Sequence, residues 1–516
     1  MTPFSRKIPS LLPFLALIVF CTLLAGYWAS RTRILIPDEL SMVSPGVAHI
    51  FGQDPGPSKY PPAAPAYFEA WLRAANLFKG LEQGGPDFAF RVARVANLLL
   101  YAANLFLFFL AARLYLKSWA LFLACGMFAL NPVVFYSAVH VKTEGLLLGS
   151  ILLCLMASAR VSEHPARLFW HALAGAACAL GAAAKYNGVL PAAYAAALLV
   201  SSPGNGHGPA PGRKRSLILG ATLFLGFFLG GLTVMWPGFL HAGEQLGQYA
   251  KDLYFLPGPS MFTAMEGTGV FPYGRFSYPL LITIPFFMGP LVYLSAWAGI
   301  FTRALPGHVA WIWGLFSGLY LLVAFVVTRL QYPPAFLPVA PFLTLSAVAL
   351  WQKLAGSRSK GARWAGRLLA GAALLVAVHQ YPAMRNISNG VVEGMERARQ
   401  YTEQHGGKNA ELIMLLNSSL TKSQGLSSPR LREGILNRRP DFLLVLDSYL
   451  GNFSKQQDPE YRRQAGLWEE LITGDAGYEV AWTLPIRYPL QWLNPDPESR
   501  MTLYFFQRKA TAPNHG

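Results

Sequence analysis

Charge is what this sequence has least of. Only 13% of its 516 residues are Asp, Glu, Lys or Arg, about half the roughly 25% of an ordinary soluble domain. Acids are scarcer than bases, 26 against 43. Together with 53% hydrophobic residues, this excludes a disordered chain and argues against a wholly soluble enzyme. Cysteine is nearly absent. Cys21, Cys125, Cys154 and Cys178 all lie in apolar stretches, so no disulfide framework can be read, and they are taken as small buried free thiols. No Gly-rich phosphate loop precedes a Lys-Ser/Thr pair, so nothing suggests ATP hydrolysis. No Cys/His cluster has zinc spacing, no dinucleotide fingerprint is present, and there is no internal repeat.

What is there is apolar sequence in long runs. Mean hydropathy is +0.33. Crossing ~30 Å of hydrocarbon takes about 20 mostly apolar residues. Eleven segments qualify: 11–29, 91–112, 119–137, 141–158, 169–184, 187–202, 216–235, 280–301, 308–328, 332–351 and 365–381. The first follows Arg6 and Lys7 but is long for a signal peptide and lacks a good cleavage site, so it reads as an uncleaved span. The fifth and sixth are short and meet at Lys185-Tyr-Asn-Gly188; they read either as two spans or as one broken, re-entrant element.

The positions of the bases explain the net charge of +17 as membrane topology rather than as a nucleic-acid footprint. With the N-terminus inside, the inner segments carry 15 bases and one acid, Glu163; the outer segments up to residue 382 carry 12 bases and 10 acids. Eleven crossings then leave the tail outside. The reading is a polytopic α-helical membrane domain, residues 1–382, with large outer loops at 30–90 and 236–279. A small α/β soluble domain follows, residues 383–516. In that tail, Gly390–Gln404 and Tyr461–Thr473 look helical, and Leu412–Leu416, Phe442–Asp447 and Met501–Gln507 look like strands.

Chemistry collects in the outer segments. Asp38 and Glu39 follow the first span directly. A carboxylate there must be solvated, paired or used, and position alone leaves open a loop acid flanked by Arg31 and Arg33. Lys59-Tyr60 precedes two prolines, which hold it extended. Ala66–Phe78 is amphipathic and suits a helix lying in the interface. His140-Val-Lys142-Thr-Glu144 forms the next outer turn. Glu144 opens a span, where a negative charge suits a helix N-terminus; alternatively, it orients His140 and Lys142 on a phosphate. Lys185 sits between two apolar segments and needs an anionic ligand or a path to the interface. Arg329, with Tyr332 just beyond it, closes the ninth span. Tyr254, Glu266 and Arg275 in the large second outer loop are candidates for a substrate cap. A transporter would bury charges mid-membrane; here they lie at one face.

The order of these features resembles the C-type glycosyltransferase superfamily, in the branch of protein O-mannosyltransferases and lipid A aminoarabinose transferases. The pattern runs from Asp38-Glu39 through Lys59-Tyr-Pro-Pro62, Arg91 and Arg94, Asn131-Pro132 and Thr143-Glu144. It continues with Ala184-Lys-Tyr-Asn-Gly188 and then Arg329, Tyr332 and Pro333. It covers roughly residues 10–350. One departure is Lys59-Tyr60, where the aminoarabinose transferases typically show Glu-Lys. The resemblance implies an enzyme of the inner membrane that moves a sugar from a polyprenyl monophosphate to a lipid, glycan or protein acceptor on the outer face. It also implies Asp38 as general base, Glu39 and Glu144 as orienting groups, and Lys59, Lys142, Lys185 and Arg329 around the leaving phosphate. A divalent metal stays open, since Asp38, Glu39 and Glu144 could meet in space; no other cofactor is implied. The rival readings are a lipid or polysaccharide transporter and a catalytically inactive assembly protein.

Overall fold

The computed structural model describes residues 11–31, 37–54, 60–78, 80–163, 167–185, 188, 213–239, 243, 284–326, 337–406, 410–415, 424, 426, 430–447, 464, 466–486 and 501–509. Among them, five helices are long and apolar enough to cross a bilayer: Leu12–Ser30, Phe88–Ala112, Glu144–Val161, Ile218–Met235 and Leu337–Ala355. A sixth is formed if a bent pair, Trp119–Ala129 with Pro132–Val139, is one span. The chain is a multi-pass membrane protein.

The first elements are α1 (Leu12–Arg31), α2 (Pro37–Ile50), α3 (Ala63–Phe78), α4 (Leu81–Ala112), α5 (Ser118–Ala129), α6 (Pro132–Val139), α7 (Glu144–Glu163) and α8 (Leu168–Ala184). Then follow α9 (Arg213–Met235), α10 (Ile284–Met288), α11 (Pro290–Phe301), α12 (Gly307–Val326), α13 (Ala340–Ala355) and α14 (Lys360–His405).

Several expected spans take a different form. The segment 119–137 is two helices bent by 53°. Pro132 has no N–H to continue α5, and Asn131 caps α6 by accepting from the Val133 N–H at 3.0 Å. Within 280–301, Gly289 adopts φ 82° and Pro290 starts a new helix, so α10 and α11 are separate. Leu168–Ala184, Pro290–Phe301 and Ile312–Leu321 are shorter apolar helices. Residues 187 and 189–202, and with them the choice between two spans and a broken element, lie outside the described residues. The segment 365–381 belongs to α14, a single helix of 46 residues, about 69 Å long at 1.5 Å per residue. It runs unbroken past residue 382 and includes the helical stretch read at Gly390–Gln404.

Small residues let these helices approach. A Cβ on Gly175 of α8 would stand 2.3 Å from the Phe224 carbonyl oxygen of α9. On Gly149 of α7 it would stand 2.8 Å from Asn104 Oδ1 of α4. Packing of small residues, with a few polar side chains between helices, is what holds spans together where lipid is as apolar as leucine. Two hydrogen bonds also join helix ends: the Lys117 N–H before α5 donates to Gln352 Oε1 of α13 (2.7 Å), and Lys353 Nζ of α13 donates to the Thr302 carbonyl after α11 (2.8 Å).

Beyond α14 come β1 (Leu412–Leu415), α15 (Leu431–Arg438), β2 (Phe442–Leu446), α16 (Gly466–Thr473), β3 (Tyr478–Ile486) and β4 (Met501–Arg508). They form one sheet of order β1-β2-β4-β3, with β1 and β2 parallel and the other pairs antiparallel. Successive side chains of a strand face opposite ways. Leu443 and Val445 therefore pack with Leu431, Ile435, Leu467 and Leu471 of α15 and α16. Phe442, Leu444 and Leu446 pack with Ala398 of α14. Burial on both faces explains why β2 is apolar throughout. Arg397 of α14 lies over the Trp482 ring at 4.8 Å, tying the helix to β3. The sequence reading had no strand at 478–486: β3 carries Pro485 and a bulge between Val480 and Trp482, both tolerated at a sheet edge.

Candidate functional site

Pro37 begins α2, so Asp38 and Glu39 stand in its first turn, where a missing N–H is harmless and negative charge is favoured. Glu39 is no solvated loop acid: it is 0% exposed. Its carboxylate takes a fork from Arg94 of α4, with Nε to Oε1 and Nη2 to Oε2 both at 3.1 Å. Oε1 also accepts the Val141 N–H at 3.1 Å, and Arg94 Nη1 donates to the Ala29 carbonyl at 3.2 Å. One ion pair thus ties the end of α1, the start of α2, α4 and the turn before α7. The Asp38 side chain lies outside the described residues.

That turn carries the second group. His140, Lys142, Thr143 and Glu144 are all buried, Lys142 completely. Lys142 Nζ stands 4.8 Å from the centre of the Tyr136 ring, a cation–π contact. His140 lies against the same ring, with centroids 4.6 Å apart. Glu144 heads α7 as expected, but its carboxylate reaches Lys185, not Lys142. Lys185 Nζ donates to Oε1 at 2.6 Å, and Thr143 Oγ1 donates to Oε2 at 3.1 Å. Lys185 follows the last residue of α8. A buried cation held by a buried carboxylate keeps its position but surrenders much of its field to its partner.

A shared apolar base holds these groups in place. Met42 and Val43 of α2, Phe68 and Leu72 of α3, and Ala93 and Ala96 of α4 pack with Val141, Leu146 and Ala184. Tyr60 packs on the same cluster, half-buried. The sequence-predicted residues Glu39, Tyr60, His140, Lys142, Glu144 and Lys185 are therefore gathered at one end of the bundle. Lys59, Arg329, Tyr332, Tyr254, Glu266 and Arg275 lie outside the described residues. Among the described residues, no three His, Cys, Asp or Glu side chains converge in a way that could hold a metal ion.

Beside the site, α3 carries a surface network. Glu69 accepts from Arg73 Nε at 2.8 Å and bonds His49 Nδ1 at 2.9 Å. Burial pulls the Glu69 carboxyl upward. The hydrogen bonds and charges of His49 and Arg73 outweigh that and hold it below the ordinary glutamate range.

Sequence reasoning placed Arg94 in a pattern without giving it a task, and it passed over Asn97 and Tyr136. The available signal was Asn97 and Asn104, two polar side chains seven residues apart in an otherwise apolar span, since polar groups inside a membrane helix need a reason to be there.

No family model matches the sequence, and no curated protein matches it. Among solved structures, the chain is similar to ArnT from Cupriavidus metallidurans bound to undecaprenyl phosphate. Identity is 14% over 96% of this chain and 97% of that one, with a TM-score of 0.46. The apo state of the same ArnT gives 15% identity over 96% and 98%, with a TM-score of 0.45. The chain is also similar to the archaeal oligosaccharyltransferase AglB from Archaeoglobus fulgidus, in complex with an inhibitory peptide and a dolichol-phosphate. There identity is 12% over 89% of this chain and 72% of that one, with a TM-score of 0.47.

Proposed function

We propose that the protein is an integral-membrane glycosyltransferase that moves a sugar from a polyprenyl monophosphate to an acceptor at the outer face of the inner membrane. The N-terminus is cytoplasmic in this reading, and residues 383–516 form an extracytoplasmic domain. The observation that carries it is the convergence of Glu39–Arg94, Lys142 and Glu144–Lys185 at the end of the bundle where α2 begins, with Asp38 in its first turn. Ionisable groups at a membrane boundary are expensive and are kept for a ligand or a reaction. The sequence resemblance supplies the reaction class.

In this mechanism Asp38 accepts the proton of the acceptor hydroxyl as that oxygen forms a bond to the anomeric carbon. The bond from the anomeric carbon to the phosphate oxygen breaks, and polyprenyl phosphate leaves with the electron pair. Lys142 and Lys185, with Lys59 and Arg329, stabilise the charge that develops on the leaving phosphate. Glu39 and Glu144 act on the cations they hold. Tyr60, His140 and Tyr332 line the donor, and Tyr254, Glu266 and Arg275 belong to the cap.

The test is release of free polyprenyl phosphate by the protein in liposomes, given a panel of polyprenyl-monophosphate sugars and an envelope extract. Release by wild type and a loss of at least a hundredfold in Asp38→Asn are expected, general-base catalysis contributing about 10²–10⁴-fold. A labelled donor that crosses the bilayer without releasing its phosphate would replace transfer by transport. Absence of both release and binding would leave the assembly role.

A further inference from the structure

Asn97 lies on α4 one turn from Arg94, 1% exposed. Its Nδ2 is within 2.9 Å of three carbonyl oxygens, those of Ser137 (2.9 Å), Ala138 (2.8 Å) and His140 (2.9 Å). These carbonyls belong to the C-terminal turn of α6 and the residue after it. The last carbonyls of a helix have no partner within it, and in a membrane no water replaces them. The orientation of the amide follows from its surroundings, because an oxygen cannot face three carbonyls, whereas the two N–H groups of an NH2 can be shared among them. Asn97 therefore caps α6 from a neighbouring helix.

The cap acts on the site. Residues 137–140 lead directly into Val141, whose N–H binds Glu39, and into the buried Lys142. Arg94 grips this turn through Glu39, and Asn97 grips it through its carbonyls. The close approach of α7 completes the seam: a Cβ on Gly145 would stand 3.3 Å from Asn97 Oδ1.

We infer that Asn97 is a positioning residue of the transfer site: by capping α6 it sets the backbone of residues 137–141 and hence the place of Lys142 relative to Glu39. The inference rests on the transfer reading above. Asn104 is the natural comparison. It is equally buried on the same helix, and its Nδ2 donates to the Gly145 carbonyl at 2.8 Å, not to the turn.

Two readouts test it. The first needs no activity: amide hydrogen exchange over residues 137–142 rises at least tenfold in Asn97→Ala and stays at the wild-type rate in Asn104→Ala. Unchanged exchange in Asn97→Ala overturns the inference. The second is donor turnover. Displacing a reacting group by about 1 Å can slow a reaction about a hundredfold, and that loss is expected in kcat for Asn97→Ala. The losses of Asn97→Ala and Glu39→Gln are expected to be non-additive, whereas those of Asn104→Ala and Glu39→Gln multiply. Additive losses for the first pair, or a kcat within twofold of wild type, overturn the inference. Asn97→Gln, which keeps the donor, is expected to recover part of kcat and serves where the alanine variant does not fold. If wild type releases no polyprenyl phosphate, the transfer reading fails, and the exchange measurement still decides whether Asn97 holds the turn.

Discussion

Lys185 Nζ lies 2.6 Å from Glu144 Oε1, joining the first residue of α7 to the residue that follows α8. The two side chains are 13% and 4% exposed, so each neutralises a charge that would otherwise be stranded at the end of an apolar helix. Removing one partner of a buried pair costs about 3–5 kcal/mol. Lys185→Met is expected to lose that much in thermal or denaturant unfolding in detergent. The exchanged pair Glu144→Lys with Lys185→Glu should recover most of the stability while leaving donor release abolished. An exchanged pair as unstable as Lys185→Met would show that this contact is not what holds the two helix ends together.

Arg94 and Glu39 make a different demand. Their contact uses a planar fork, and the remaining guanidinium nitrogen holds the Ala29 carbonyl. A lysine keeps the charge but cannot make all three bonds. Arg94→Lys is therefore expected to cost about 1.5–3 kcal/mol, the usual range for lost hydrogen bonds to a charged group. Arg94→Met should cost more. Equal stability of Arg94→Lys and wild type in the same unfolding assay would rule out a structural role for the fork.

Helix contact predicts opposite effects for two glycines. Gly175→Ala would set a Cβ 2.3 Å from backbone of α9, whereas Gly126 in α5 has nothing within 4 Å of such an atom. Gly126→Ala should stabilise by about 0.5–1 kcal/mol through helix propensity alone. Gly175→Ala should destabilise by pushing α8 and α9 apart. Midpoints of thermal unfolding that move in the same direction for both would contradict the packing of that interface.

The Glu69 network gives a pH dependence. The folded carboxyl titrates below its unfolded value because His49 and Arg73 outweigh burial. Its contribution is therefore fully present above the unfolded glutamate pKa, about 4.3, and is lost as pH falls through the lower folded value. Wild type should lose stability across that acid window more steeply than Glu69→Gln. Parallel curves for the two proteins would show that the network contributes nothing.

Much of the architecture was legible in single segments. The runs at 11–29, 91–112 and 216–235 became α1, the apolar part of α4 and α9, because transfer of a side chain into lipid is a local property of the run. The strands read at 412–416, 442–447 and 501–507 were equally local and became β1, β2 and β4 within a residue at one end. The breaks were not so plain: Asn131-Pro132 and Gly289-Pro290 carry the signals of a helix end, but an apolar run on both sides hid them. β3 was missed because its alternation is interrupted by a bulge and a proline.

The sequence by itself determined that this chain lives in a membrane, where most of its apolar segments lie, and that Glu39, Lys142, Glu144 and Lys185 stand near span ends. Only the tertiary structure decided who holds whom: Glu39 takes Arg94, Glu144 takes Lys185, and Asn97 caps a helix 40 residues away. The reason is geometric. Hydropathy sums over a segment and survives any rotation of a helix, whereas a hydrogen bond fails within about 1 Å. The close approach of α4 and α7 at Gly145 and Gly149 depends on the offset and rotation of the two helices, which no local pattern fixes.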